Sequence, residues 1–264
     1  MLAQARRQFL EDYGRIRSAE GRGSDQSAYY RALPFADTTG RNSSQWRIRA
    51  RTFRYFAQRV LPGGHLKVLD LGAGNCWLSF RLAELRHHPV AVDIFSDPRD
   101  GLRAARHYPV RFPLVEADFD RLPFTDATFD LIVFNASLHY SADYARTLAE
   151  ARRCLRPQGR VVILDTPVYR LRQHGQQMRA ERQVLFEQQH GFRSEALRSV
   201  EFLDELMLED LARDLRLTWR IHRPWYGLGW MLRPWKAWIR GRRPPSRFWI
   251  LEATFQTAGS FQTL

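Results

Sequence analysis

Between residues 66 and 168, short apolar runs alternate with segments of helical period, and this alternation constrains the fold more than any other feature of the chain. Lys67 to Leu71, Val90 to Asp93, Arg111 to Val115, Phe129 to Phe134 and Gly159 to Leu164 have the length and composition of buried strands. Leu78, Leu82 and Leu85 mark one intervening helix face, and Tyr144, Leu148, Ala151 and Leu155 mark another. Strands alternating with helices require right-handed crossovers that cover both faces of a parallel sheet, so the chain is predicted to be α/β and doubly wound. A helix from about Ser199 to Asp214, and strands near Leu217 to His222 and Phe248 to Phe255, complete the sheet.

The flanks read differently. A helix is predicted from about Ala3 to Ser18, then an irregular stretch from Gly21 to Ser44 rich in Gly, Ser, Asp and Thr. A second helix from about Gln45 to Leu61 is stopped by Pro62-Gly63-Gly64. Gln173 to His190 reads as a helical insertion with Gly191 as its cap. The resulting division is a helical cap over 1–62, a core over 63–170, and a region over 171–264 that completes the sheet around an Arg/Trp-rich insertion.

At 264 residues the chain buries a sizeable core, and 44% hydrophobic with 26% charged residues excludes a collagenous or wholly disordered class. Two cysteines, Cys76 and Cys154, leave no disulfide framework, and no ligand spacing suggests a metal. A reducing cytosol fits that usage. Neither a spanning apolar run nor a signal peptide is visible, so a soluble, cytoplasmic protein is expected, with membrane contact at most peripheral. The formal charge is +13, and every basic residue but Lys67 and Lys236 is arginine. From Leu215 to Leu251 there is no acidic residue, while nine cations and six of the eight tryptophans lie there. A solvated surface accounts for that excess as readily as an anionic partner does.

Val68-Leu69-Asp70-Leu71-Gly72-Ala73-Gly74-Asn75-Cys76-Trp77 runs from the first strand into a helix. Glycines there let the backbone turn tightly and approach a ligand without Cβ clashes. A dinucleotide loop wants glycine where Trp77 stands, and a phosphate loop wants Gly-Lys-Ser/Thr, so neither phosphate reading survives. Instead, acidic residues mark three strand ends. Asp70 precedes the glycines; Asp93 ends the second strand, placed to take both hydroxyls of a ribose; Asp118 follows the third, where it would receive an adenine amine beside Phe119. A ligand with ribose, adenine and a cationic amine, but no phosphate, matches them. Each aspartate has a structural alternative as a helix cap or turn acceptor, and Asp70 in particular can hold the glycine loop through backbone N–H groups. For Asp130, at the start of the fourth strand, the structural role is the better reading.

These residues resemble the class I S-adenosylmethionine-dependent methyltransferases, most closely the type 11 group that includes ubiquinone-biosynthesis-like enzymes. The matching segments are Val68 to Gly74, Val92-Asp93, Glu116-Ala117-Asp118 with Leu122-Pro123-Phe124, Phe129 to Phe134 and Leu155 to Arg160. The resemblance implies a seven-stranded Rossmann-like methyltransferase fold and S-adenosyl-L-methionine as cofactor. It also implies contacts from Asp70, Gly72, Ala73, Gly74, Asn75, Asp93, Ile94, Asp118, Phe119 and Asn135. Cys76 departs from it, standing where the pattern usually has a third glycine.

Asn135-Ala136-Ser137-Leu138-His139-Tyr140 follows the fourth strand, where open α/β sheets place substrate. It lacks the Pro-Pro-aromatic motif of amine methylation on nucleic-acid bases, and neither cysteine suits pyrimidine C5 chemistry. His139 is a candidate general base for a hydroxyl or a carbon acid, its alternative being a cap or packing residue. In related enzymes preceding helices fold over the cofactor, so Arg49 or Arg47 is a candidate for the methionine carboxylate. The expected activity is methyl transfer to an O, C or N atom of a small-molecule, lipid-like or glycan-precursor acceptor. RNA methylation and a non-catalytic cofactor-binding protein are the alternatives. Residues 225–247 combine Leu228, Met231, Leu232, Trp235, Trp238 and Ile239 with interleaved cations, which suits a short amphipathic helix that meets anionic membrane, binds nucleic acid or packs on the domain.

Overall fold

Val68, Leu69 and Leu71 are wholly buried, as the middle strand of a covered sheet requires. They belong to β1 (Lys67–Leu71) of a computed structural model that describes residues 2–192 and 199–256. Ahead of it lie helices α1 (Leu2–Ala19), α2 (Ser27–Ala32) and α3 (Ser43–Tyr55). The core then runs α4 (Trp77–Glu84), β2 (His88–Asp93), β3 (Leu114–Glu116), β4 (Phe129–Asn135), α5 (Tyr144–Cys154) and β5 (Leu155–Leu164). A short parallel pair, β6 (Val168–Tyr169) and β7 (Leu203–Asp204), brackets α6 (Arg172–His190). The remainder is α7 (Glu205–Asp214), β8 (Leu217–His222), α8 (Leu228–Met231), α9 (Arg233–Ile239) and β9 (Ile250–Phe255).

Among the described residues the main sheet has seven strands in the order β3-β2-β1-β4-β5-β9-β8. The first five are parallel, and β9 runs antiparallel to both β5 and β8. The order turns back between β1 and β4, which opens a crevice beyond their carboxyl ends. One apolar layer joins α2, α3 and α4 to one face of the sheet, and a second joins α5 and α7 to the other. Buried fully, a leucine or phenylalanine in these layers contributes about 1.5 to 3 kcal/mol, so the two layers together hold the strand ends in fixed register.

Several boundaries differ from expectation, each for a local reason. The irregular stretch from Gly21 to Ser44 contains α2, because Tyr29 and Tyr30 bury their rings and the Tyr30 hydroxyl donates to the Ser24 or Arg99 carbonyl at 2.6 Å. The second helix is α-helical only from Ser43 to Tyr55 and then widens to a π-helical turn over Phe56–Val60. The third strand begins at Leu114, just after Pro113, whose missing N–H cannot join a ladder. The fifth begins at Leu155, with no loop after α5. The last core helix begins at Glu205 rather than near Ser199, since the Asp204 carboxylate accepts the Met207 N–H at 2.8 Å and caps it there. The expected amphipathic helix is two short ones, α8 and α9.

Candidate active site

The glycine loop is built for close approach. Gly72 has φ +72°, and a Cβ placed on it would lie 2.3 Å from the Ser137 Cβ, so no side chain fits. Its N–H and that of Ala73 donate to the Val92 carbonyl at 2.8 and 3.0 Å, tying the loop to β2. Cys76 adopts φ +64°, the left-handed backbone that explains a glycine preference at this position. Its side chain is wholly buried beneath the loop. The departure at Cys76 is therefore carried into the core and not into the ligand face.

A cavity of about 320 Å³ opens past these strand ends. Gly72, Ala73, Gly74 and Asn75 line it from β1, Asp93 and Ile94 from β2, and Asn135 with His139 from the segment after β4. Phe119 also reaches it, and Tyr13, Arg17 and Arg49 close it from the N-terminal helices. Asp93 is held by two backbone donors: Gly74 N–H meets Oδ2 and Phe95 N–H meets Oδ1, both at 2.8 Å. Burial pushes its carboxyl above the usual range, and the two N–H groups and Arg17 act against that rise. Each oxygen accepts one of these bonds and keeps capacity for a further donor.

Of the predicted site residues, Asp70 and Asp118 do not reach this lining. Asp118 is exposed and accepts the Asp120 N–H at 2.9 Å in a turn. Asp70 is wholly buried, its Oδ2 accepting from the Ser79 hydroxyl at 2.7 Å while Oδ1 has no partner. Desolvation pushes its carboxyl up to about 7. The folded protein therefore holds a proton that the unfolded chain, near 3.8, releases, and stability from this group falls as pH rises from about 4 to 7. Asp70→Asn is expected to abolish that falling limb without changing cofactor affinity by more than about threefold. Chemical denaturation of both proteins at pH 5 and pH 8 reads the first, and calorimetry with S-adenosylhomocysteine the second.

Arg49 faces the cavity and Arg47 is exposed on the outer side of α3. The Arg49 guanidinium lies 4.8 Å over the Trp46 ring and makes no ion pair within 4.0 Å among the described residues. Burial, with help from Arg22 and Arg17, lowers it to about 10. Asp165 on the same lining acts against that fall without closing to an ion pair, and a desolvated cation so placed is poised for an anion. Arg17, by contrast, is paired with Asp100 at 2.5 Å, which ties α1 to the loop after β2.

His139 lies in a turn of 3₁₀ helix over Leu138–Tyr140. Its Nδ1 is enclosed without a partner, as is the Asn135 Oδ1. Burial first, then Arg49, Arg182 and Arg17, lower the imidazole to about 3, so it is neutral at any working pH. A second, smaller cavity of about 140 Å³ adjoins on this side, sharing Tyr13, Arg17, His139 and Tyr140 and adding Met178 and Arg182 from α6. Sequence reading missed Asp100 and Asp165. Asp165 lines the first cavity directly after β5, its Oδ2 unpartnered and its Oδ1 accepting from Thr52 at 2.6 Å. The one available signal was its position at a fourth strand end.

A mostly parallel seven-stranded sheet of this order is the Rossmann-like methyltransferase fold. Residues 69–163 match the family model for a methyltransferase domain, type 11, and they form such a domain, whose cofactor is S-adenosylmethionine. The chain is 31% identical over 128 residues to a malonyl-[acyl-carrier protein] O-methyltransferase of Erwinia pyrifoliae, covering 47% of this chain and 48% of that one. It is 38% identical over 125 residues to a demethylmenaquinone methyltransferase of Mycobacterium marinum, covering 47% and 49%. It thus spans about half the length of the curated relatives it matches. Among solved structures, PH0226 protein from Pyrococcus horikoshii has a TM-score of 0.58 at 22% identity, covering 87% of this chain and 99% of that one. The 1,6-didemethyltoxoflavin-N1-methyltransferase of Burkholderia thailandensis, solved with S-adenosylhomocysteine, has a TM-score of 0.53 at 21% identity, covering 84% and 83%. These two show the fold.

Among the described residues no group of His, Cys, Asp and Glu is placed to hold a metal.

Proposed function

We infer that the chain is a S-adenosylmethionine-dependent methyltransferase acting on a small-molecule or lipid-like acceptor. The observation that carries this reading is Asp93: a carboxylate fixed by two loop N–H groups at the end of β2, facing a cavity whose far wall holds the unpaired Arg49. Asp93 takes the ribose hydroxyls, Ile94 and Phe119 flank the adenine, and Arg49 takes the methionine carboxylate. The loop of Gly72, Ala73, Gly74 and Asn75 lets the backbone lie against the ligand. Asn135 offers its unpartnered oxygen on the same wall. When bound, S-adenosylmethionine supplies an electrophilic sulfonium methyl group.

The chain's own residues supply position, which lowers the barrier most for a direct displacement. Tyr13 and Tyr140 meet edge to face at 5.9 Å and line both cavities. His139 lies on the lining of both, the place for a group that takes the acceptor's proton. Held neutral by burial, the imidazole has no proton of its own to lose before it takes one. The names of the relatives, a malonyl-[acyl-carrier protein] O-methyltransferase and demethylmenaquinone methyltransferases, support an acceptor other than nucleic acid.

Incubation of the protein with isotope-labelled donor and metabolite, lipid and RNA extracts, followed by mass spectrometry, tests the reading. Label in a metabolite or lipid is the expected result. Label confined to RNA, or cofactor binding with no product in any extract, would replace it with one of the alternatives.

A further inference from the structure

The segment between β8 and β9 leaves its apolar side chains in water. Trp225, Leu228, Met231, Trp235, Trp238 and Ile239 are between 56% and 77% exposed, and neither α8 nor α9 buries a single residue. Trp235, Trp238 and Ile239 stand at i, i+3 and i+4, so they share one face of α9. Lys236, Arg240 and Arg242 are exposed among them and form no ion pair with a described carboxylate. The root of the segment, however, is packed against the domain. Trp230 packs on Tyr226 and Phe248 at 5.0 and 5.5 Å, with Arg233 3.7 Å over its ring, and Arg243 is tied to Glu181 at 2.8 Å.

We propose that α8 and α9 are a membrane-docking element that seats the protein on an anionic lipid surface, independently of which acceptor the site takes. An exposed apolar patch rimmed by cations, with no acidic residue from Leu215 to Leu251, is complementary to acyl chains beneath anionic headgroups. A second copy of the chain is disfavoured, because a two-fold contact would bring the same unpaired cations together. Single-stranded nucleic acid would use the cations and the tryptophans, but leaves Leu228, Met231 and Ile239 without a partner.

The element is joined to the cofactor cavity. Phe248 lines both that cavity and the cleft beneath α8 and α9. The Tyr226 hydroxyl lies 2.9 Å from both Thr52 Oγ1 and the Phe248 carbonyl, and Thr52 donates to Asp165 at the cavity wall. Docking therefore bears on the cavity wall through Phe248 and Tyr226.

Sedimentation with vesicles of phosphatidylcholine and increasing phosphatidylglycerol is the test. The bound fraction is expected to rise with phosphatidylglycerol and fall as salt is raised. Trp235→Ala with Trp238→Ala should weaken partitioning by about tenfold or more while S-adenosylhomocysteine binding stays at the wild-type value, which also shows the variant is folded. Lys236→Gln with Arg240→Gln and Arg242→Gln should remove most of the dependence on phosphatidylglycerol. No sedimentation with pure phosphatidylglycerol at low salt overturns the proposal, as does binding that survives loss of both tryptophans. So does a solution dimer that the double tryptophan variant dissolves, or binding to single-stranded polynucleotide where vesicles fail.

Discussion

Asp93→Ala is expected to lower the affinity for S-adenosylhomocysteine by about 30-fold or more. Hydrogen bonds to a charged group contribute about 1.5 to 3 kcal/mol, and each 1.4 kcal/mol is a factor of about ten. The loss has two sources in the structure. The carboxylate facing the cavity disappears, and the N–H groups of Gly74 and Phe95 lose the acceptor that fixes the loop. Asp93→Asn separates them: its amide oxygen keeps one loop bond while the charge is gone, so it should fall between wild type and Asp93→Ala. Calorimetry on folded proteins decides the matter, and an unchanged affinity for Asp93→Ala would take Asp93 out of the site.

His139→Ala is expected to reduce turnover by roughly 100-fold with cofactor affinity near the wild-type value, the pattern of a group that handles a proton in the transition state. The same residue has a stability signature. Its imidazole is held near 3 in the fold against 6.5 in the unfolded chain, so between those values the unfolded state binds more protons and stability is lost as pH falls. His139→Gln should therefore resist acid unfolding better than wild type between pH 6 and 4, while being the slower enzyme. A drop of only a few-fold in turnover, together with the acid resistance, would leave His139 a packing residue and catalysis to positioning alone.

How much of this was legible depended on how far apart the cooperating residues lie in the chain. β1 and β8 occupy the predicted residues, because an unbroken apolar or alternating run between breakers needs only local information. The glycine loop and Asp93 were legible for the same reason, as consecutive residues at strand ends. The pairing of Arg17 with Asp100 spans 83 residues, and no local pattern announces it. Asp70 shows the opposite failure. It sits at the expected register, yet a side chain one residue before the end of β1 points into the layer against α4, where Ser79 receives it. α2 was hidden by composition, since the burial of Tyr29 and Tyr30 against the core, not helix propensity, holds a six-residue helix among turn formers.

The two cysteines lie on opposite sides of the sheet. Cys76 belongs to the layer with α2, α3 and α4, and Cys154 to the layer with α5 and α7; both are wholly buried, and burial raises both thiols above their ordinary value. A thiol reagent therefore reaches each sulfur only when its own layer opens. The molecule carries two native clocks, one per face. Labelling rates resolved by peptide mass spectrometry read a separate opening free energy for each layer in an unmodified chain, and a difference between the rates orders the steps by which the sheet is uncovered.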